Sequence, residues 1–124
     1  MVVDRAPDDV VDDLFHALSD ATRRDILRRC AVGEPSVSRL AASYPMSFAA
    51  VQKHVVVLER AGLVTKERRG REQIVRTDAA TLDRARRVLD DLEAAWRERV
   101  AQMSQVLRAH HGQQPANSKT GEPA

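Results

Sequence analysis

The apolar residues of this 124-residue chain change their spacing at Gly62. In four successive segments before it, they recur every three or four positions, as they do on one face of a helix. The next two segments, LVTKERR and EQIVRTD, are short, rich in Val, Ile and Thr, and separated by one glycine between arginines. From about Ala79 the helical spacing returns and continues to Leu107 without Gly or Pro. This order predicts a mainly α fold that contains one small β-hairpin.

The helices before the hairpin have recognisable ends. Asp20 or Thr22 can cap the second helix, Ser36 a short third helix and Ser47 a fourth, for which Gly62 is the expected C′ residue. The order helix, helix, short helix, tight turn, helix, hairpin is that of a winged helix-turn-helix. The fourth helix, in the stretch PMSFAAVQKHVVVLERAGLV, occupies the place of the recognition helix.

The predicted recognition helix is apolar along its second half, yet it carries polar residues in its middle. Val51, Val55 and Leu58 repeat at i, i+4 and i+7 and are expected to pack inward. A helix made only to fill a core would not need Gln52 and Lys53. Both side chains are therefore predicted to protrude, Gln52 toward adenine N6/N7 and Lys53 toward guanine O6/N7 or a phosphate.

Four neighbouring residues complete the predicted DNA-contacting part of this helix. Ser47 and Ala49 lie in its first turn. Phe48 either contacts a thymine methyl group or is half buried in the core. His54 either donates to a phosphate or packs against a neighbouring helix. Catalysis by Ser47 and His54 is not expected, because no motif supplies an orienting group or an oxyanion site, so the protein is predicted not to be an enzyme.

Basic charge is concentrated in the middle of the chain. Residues 1–20 hold six acids and one base, whereas residues 21–79 hold twelve bases and six acids. This distribution is typical of a protein that binds a phosphate backbone. The few aromatic residues cannot form the stacking platform of a single-strand binder, so double-stranded DNA is the expected partner. Arg68, Arg69 and Arg71 surround the hairpin glycine and are predicted to contact the sugar-phosphate backbone or the minor groove.

The last apolar stripe is long for a chain of this size. A helix that runs from about Ala79 to Leu107 is expected to pack in part on its own symmetry mate, although packing wholly on its own domain is the alternative. The predicted homodimer interface consists of apolar residues of the first and last helices: Val10, Leu14, Phe15, Leu89, Leu92, Trp96, Val100 and Met103.

Three segments in order resemble the ArsR/SmtB family of bacterial transcriptional repressors, namely ALSDATRRDIL, SVSRLAASYPMSFAAVQKHVVVLERAGLV and RRGREQIVRTD. The resemblance covers residues 10 to about 108. It implies a homodimeric winged helix-turn-helix that is held together by its first and last helices, binds an inverted-repeat operator and blocks transcription.

The chain resembles the family members that lack metal-binding residues. Members that bind thiophilic metals carry E-L-C-V-C-D-L in the third helix, where this chain reads EPSVSRL, and a serine cannot replace a thiolate as a soft ligand. The other family site uses histidines and carboxylates of the last helix, but residues 80–109 contain no histidine, and His110 and His111 are expected to begin a polar tail. The protein is therefore predicted to bind no metal and no cofactor. Release from DNA would then depend on an unknown small-molecule effector, a competing protein or expression level alone.

The remaining expectations concern boundaries, location and a rival function. Residues 1–8 are predicted to be a flexible acidic N-terminus, 9–108 the domain and 109–124 a disordered tail. No apolar run is long enough to span a bilayer, and the N-terminus is unlike a signal peptide, so a soluble cytoplasmic, nucleoid-associated protein is expected. Cys30 is expected to be a small buried hydrophobe, with a redox bridge between two chains as the alternative. The rival function is a helical dimeric protein-interaction module without specific DNA binding.

Overall fold

The structure, a computed structural model, describes residues 7–112. The predicted mainly α fold with one antiparallel β-hairpin is confirmed. Its elements in chain order are α1 (Pro7–Leu18), α2 (Ala21–Val32), α3 (Val37–Ala42), α4 (Phe48–Arg60), β1 (Val64–Arg69), β2 (Glu72–Thr77) and α5 (Ala79–Gly112).

Both ends of the described chain differ from the predicted boundaries. Helix α1 begins at Pro7, a residue that suits the first turn of a helix, so the last two residues of the predicted flexible segment 1–8 are helical. Helix α5 continues past the predicted end at 108 as far as Gly112, because the intervening residues are all compatible with a helix. The predictions for residues 1–6 and 113–124 lie outside the described residues.

Side-chain caps define where the helices begin. Of the two candidates for α2, Asp20 is the N-cap, and its carboxylate accepts a hydrogen bond of 3.0 Å from the backbone N–H of Arg23. Ser36 accepts from the N–H of Arg39 at 3.0 Å, at the start of α3. Because each cap depends only on residues nearby in the sequence, these boundaries could be predicted.

Helix α4 ends in a Schellman motif. Gly62 takes a left-handed φ of +79°, and its N–H donates to the carbonyl of Glu59, while the N–H of Leu63 donates to the carbonyl of Leu58, each at 2.9 Å. Leu58 and Leu63 are both fully buried, as the hydrophobic contact of this motif requires. The chain therefore leaves α4 and enters β1 at a fixed angle.

The core lies between the helices of the helix-turn-helix and the inner face of the hairpin. Every element contributes to it, and its members are Leu14, Ala17, Ile26, Leu27, Cys30, Val37, Leu40, Val51, Val55, Leu58, Leu63, Val64, Val75 and Ala85. The expectation that Cys30 is buried is confirmed. Leu14, by contrast, was predicted at the dimer interface but is fully buried here, because it fills the core of its own domain.

A short segment before α3 pairs with β2 through an isolated bridge. The N–H of Val75 donates to the carbonyl of Pro35 at 2.9 Å, and Ser36 forms an antiparallel bridge with Ile74. The sequence analysis did not predict this pairing. It fixes β2 directly against the start of α3.

The chain divides by its packing after Arg86. The first unit holds α1 to β2 and the beginning of α5, and the second holds the rest of α5 from Arg87. Among residues 7–112, no helix combines the length and the apolar character that a membrane span requires.

Candidate nucleic-acid interface

The two faces of α4 differ as the sequence predicts. Val51, Val55 and Leu58 are fully buried, whereas Gln52 and Lys53 are exposed. The buried residues hold the helix against the core, so the exposed pair projects from a fixed support. This side of α4 offers an amide and an ammonium group, which are suited to base edges and phosphates.

The first turn of α4 is also exposed. The hydroxyl of Ser47 accepts a hydrogen bond of 3.1 Å from the N–H of Ala50, so Ser47 is the N-cap, and Ala49 is exposed beside it. Phe48 is 49% exposed, which leaves both its core role and its contact with a thymine methyl group open. The N-terminal end of the helix carries the positive end of the macrodipole, which favours a phosphate nearby.

His54 is held inside its own domain. Its Nδ1 lies 3.2 Å from Nη1 of Arg23 and 3.9 Å from Oδ2 of Asp20, and its side chain is 22% exposed. Of the two interpretations left open by the sequence, packing against a neighbouring helix is the arrangement that the structure contains. The phosphate contact of His54 stays a prediction that this geometry does not favour.

Arg23 is a functional candidate that the sequence analysis missed. It is 8% exposed, and its Nε and Nη2 donate to the carbonyls of Ala17 and His16 at 2.8 and 2.9 Å. A signal was present in the sequence, because position 23 falls on the same helical face as Ile26, Leu27 and Cys30. An arginine on an apolar face indicates a buried charge that needs partners.

The hairpin, or wing, does not present its three predicted arginines in the same way. Arg68 and Arg71 are exposed and form no side-chain ion pair among the described residues, and Gly70 makes the turn between them with a φ of +66°. Arg69 instead lies 3.4 Å from both Glu34 and Glu67. The free arginines of the wing are thus Arg68 and Arg71.

Arg76 joins Arg69 in a four-residue network that the sequence analysis also missed. It contacts Glu34 through Nε at 3.1 Å and Glu67 through Nη1 at 3.3 Å. Glu34 is 35 residues from Arg69 and 42 residues from Arg76, so no local pattern signals its part in the network. It ties the wing to the loop before α3.

One more ion pair sets the wing beside the recognition helix. Nζ of Lys66 in β1 lies 3.3 Å from the carboxylate of Glu59 in the last turn of α4. Together with the buried residues Leu63 and Val64, it fixes β1 close behind the end of α4. The wing therefore lies next to the C-terminal end of α4 within this unit.

The turn before α4 is anchored on α2 by Tyr44. Its hydroxyl donates to Oδ2 of Asp25 at 2.6 Å, Nε of Arg29 donates to the same oxygen at 2.9 Å, and the guanidinium of Arg29 lies 5.2 Å from the ring centroid. The hydrogen bond from Tyr44, with that from Arg29, lowers the pKa of the Asp25 carboxyl, and burial raises the pKa of Tyr44 to about 12. Asp25 therefore stays ionised and Tyr44 protonated at neutral pH.

Several apolar side chains of α5 are exposed to solvent. Among those predicted at the dimer interface, the exposed fraction ranges from 46% for Val100 to 66% for Trp96, with Leu89, Leu92 and Met103 between them. On α1, Val10 and Phe15 are partly exposed. Among residues 7–112, no three His, Cys, Asp or Glu residues are grouped as metal ligands would be.

Comparisons with known proteins point in one direction, although no family model matches the chain. The chain is 33% identical over 96 residues to the HTH-type transcriptional regulator Rv2034 of Mycobacterium tuberculosis, an alignment that covers 77% of this chain and 87% of that protein. It is 36% identical to a solved ArsR-like transcriptional regulator from Rhodococcus sp. RHA1, with a TM-score of 0.70 and coverage of 78% and 92%. A homodimeric winged helix-turn-helix DNA-binding domain from Mycobacterium bovis shares the fold at 23% identity, with a TM-score of 0.58 and coverage of 75% and 91%.

Proposed function

Because the chain belongs to the ArsR family of winged helix-turn-helix transcriptional regulators, we propose that it represses transcription by binding an inverted-repeat operator as a homodimer. The observation that carries the proposal is the division of α4 between a fully buried apolar side and an exposed side with Gln52 and Lys53. Its relatives are named as transcriptional regulators, which supports a role in DNA binding rather than in catalysis.

In the proposed complex, α4 enters the major groove and the wing follows the backbone. Gln52 pairs with adenine N6/N7, and Lys53 contacts guanine O6/N7 or a phosphate. Arg68 and Arg71 at the wing contact phosphates or the minor groove, which positions the domain without reading sequence. The first turn of α4, from Ser47 to Ala49, lies against the backbone at the edge of the groove.

The operator is proposed to be an inverted repeat because the protein is proposed to be a two-fold dimer. A large exposed apolar stripe such as that of α5 needs a partner, and a second copy of the same helix is the simplest one. A two-fold dimer presents its two recognition helices to two half-sites related by the same symmetry. Val10 and Phe15 of α1 are proposed to flank this interface.

The test is to select duplexes from fragments of the source genome and to measure their affinity for point variants. Gln52→Ala and Lys53→Ala should each weaken binding to the selected duplex by about 1–3 kcal/mol, and the loss of a base contact should also relax the preference at one base pair. Arg60→Ala is the control, because it removes a charge from the far end of the same helix. If all three variants bind the duplex with the affinity of the wild type, α4 does not enter the groove, and the protein-interaction module is favoured.

Metal-independent release is the second part of the proposal. The hydroxyls of Ser36 and Ser38 stand where thiophilic members of the family carry thiols, and Ser36 is already occupied as an N-cap. Titration of zinc, cadmium, nickel, copper and arsenite into the protein–duplex complex should therefore leave it intact at micromolar concentrations. Stoichiometric release that a chelator reverses would make the protein a metal sensor after all.

A further inference from the structure

The Arg23 side chain connects three helices at one point. Its guanidinium reaches two carbonyls in the last turn of α1, at His16 and Ala17, and the ring of His54 in the middle of α4, while the residue itself belongs to α2. The guanidinium has five N–H donors in a planar fork, and here three of its nitrogens point at three different acceptors. No other side chain could satisfy these three directions at once.

We propose that Arg23 is a positioning residue for DNA recognition, which sets the orientation of α4 by holding Nδ1 of His54 at a fixed place relative to the end of α1. The inference rests on the proposed function, and it assigns a role to a residue that does not itself reach the DNA. His54 lies next to Lys53 and two residues from Gln52. A small rotation of α4 about its axis therefore moves both proposed base-contacting side chains together.

The chemistry of the contact makes it selective. An arginine has no acceptor, so the 3.2 Å contact is a hydrogen bond only when Nδ1 of His54 offers its lone pair and the ring proton is on Nε2. Protonation of Nδ1 would place two donors and two positive charges against each other. Arg23 thus favours one tautomer and one ring orientation of His54.

The carboxylate of Asp20 adds a negative charge near this buried arginine. Its carboxylate accepts from the backbone N–H of Arg23 and lies 3.9 Å from Nδ1 of His54. The backbone hydrogen bond from Arg23 lowers the pKa of Asp20, so the carboxylate is ionised at neutral pH. The cap of α2, the buried guanidinium and the recognition helix are therefore parts of one hydrogen-bonded cluster.

Four variants distinguish a role of Arg23 in positioning α4 from a role in folding alone. Arg23→Lys keeps the charge but cannot reach three acceptors. His54→Asn keeps an acceptor where Nδ1 lies and has a similar helix propensity, whereas His54→Leu keeps the bulk and loses the acceptor. The double variant Arg23→Lys/His54→Leu shows whether the two residues act through each other.

The probes are a duplex selected from a random pool by the wild-type protein and a duplex of scrambled sequence. Arg23→Lys and His54→Leu should each weaken the selected duplex about tenfold, as expected when a base contact is misplaced, and change the scrambled duplex less than about twofold. His54→Asn should bind within about twofold of the wild type. The double variant should be no weaker than Arg23→Lys alone.

Circular dichroism during thermal unfolding fixes a temperature at which every variant is folded, and affinities are compared there. If Arg23→Lys does not fold, the matched pair His54→Asn and His54→Leu decides the question at a partly exposed position. Three outcomes would overturn the inference. His54→Leu could bind the selected duplex as tightly as the wild type, a variant could lose the same affinity for the selected and the scrambled duplex, or His54→Asn and His54→Leu could bind the selected duplex equally weakly. A wild-type protein that selects no duplex would instead overturn the proposed function, and the inference with it.

Discussion

Arginines with the same formal charge have different roles in this molecule. Arg23 is buried among backbone carbonyls, and Arg69 faces two carboxylates, whereas Arg68 and Arg71 are exposed at the wing. A regional count of charges treats all of them as one positive surface. The count still indicated a DNA-binding protein, but it could not say which arginines are available, because that depends on contacts formed in the folded chain, such as those of Arg69 and Arg76 with Glu34.

Cys30 gives a prediction at the scale of one residue. The thiol is buried, and burial raises its pKa to about 11, although Thr77 acts to lower this pKa. The thiolate fraction at pH 7 is then on the order of one in ten thousand, and only the thiolate reacts readily. We expect a thiol reagent such as Ellman's reagent to label the folded protein far more slowly than the same chain in denaturant. Equal labelling rates would show an accessible thiol and revive a redox bridge between two chains.

The elements that could be predicted are those with local signals. The side chains of Asp20, Ser36 and Ser47 each cap a helix by accepting a hydrogen bond from the backbone N–H three residues later. Gly62 ends α4 because its backbone adopts a left-handed conformation. The pairing of residues 35–36 with β2 and the contact between His54 and Arg23 could not be predicted, because both join segments that are distant in sequence. The exposure of Gln52 and Lys53 and the burial of Val51, Val55 and Leu58 could therefore be predicted, whereas the contact of His54 with Arg23 could not.

The wing as an element carries a prediction about Glu34. This residue pairs with Arg69 and Arg76, and all three side chains are about half exposed. Because such exposed pairs contribute only about 0–1 kcal/mol, Glu34→Gln should hardly change the free energy of unfolding. It removes one of the two carboxylates that hold these arginines, while Glu67 still contacts both. Arg69 and Arg76 should therefore become more available to phosphates, which would tighten duplex binding and steepen the plot of log K against log salt by up to roughly 0.9 for each new contact.

The matched control for Glu34→Gln is Glu72→Gln. Glu72 is an exposed acid of the same hairpin and forms no ion pair among the described residues, so its removal changes the same charge without releasing an arginine. Affinity should be measured for both variants over a range of salt concentrations. Identical changes in the two variants would mean that only the net charge of the wing matters, and that Arg69 and Arg76 gain no phosphate contacts.

At the scale of the whole molecule, the unexplained feature is the apolar stripe of α5. The seven large hydrophobic residues from Leu89 to Leu107 are at least 46% exposed. From Leu89 to Met103 these residues are spaced three or four positions apart, as in helices that pack against each other in pairs. The periodicity predicted the helix, but one chain alone contains no second stripe of this length among its described residues, so the partner must be argued from the pattern.

Aspartate substitutions test the proposed dimer most directly. Leu92→Asp or Trp96→Asp would bury an unpaired carboxylate in the proposed interface, at a cost of several kcal/mol, and should raise the dimer dissociation constant by at least about a hundredfold. Ala94→Asp introduces the same charge on the opposite face of the same helix and should leave the dimer intact. The measurement is sedimentation equilibrium across micromolar concentrations. An inverted repeat is read by two joined domains, so Leu92→Asp and Trp96→Asp should have equal affinities for a single half-site and for the full operator. If the wild-type protein is monomeric at these concentrations, two-fold recognition has no basis.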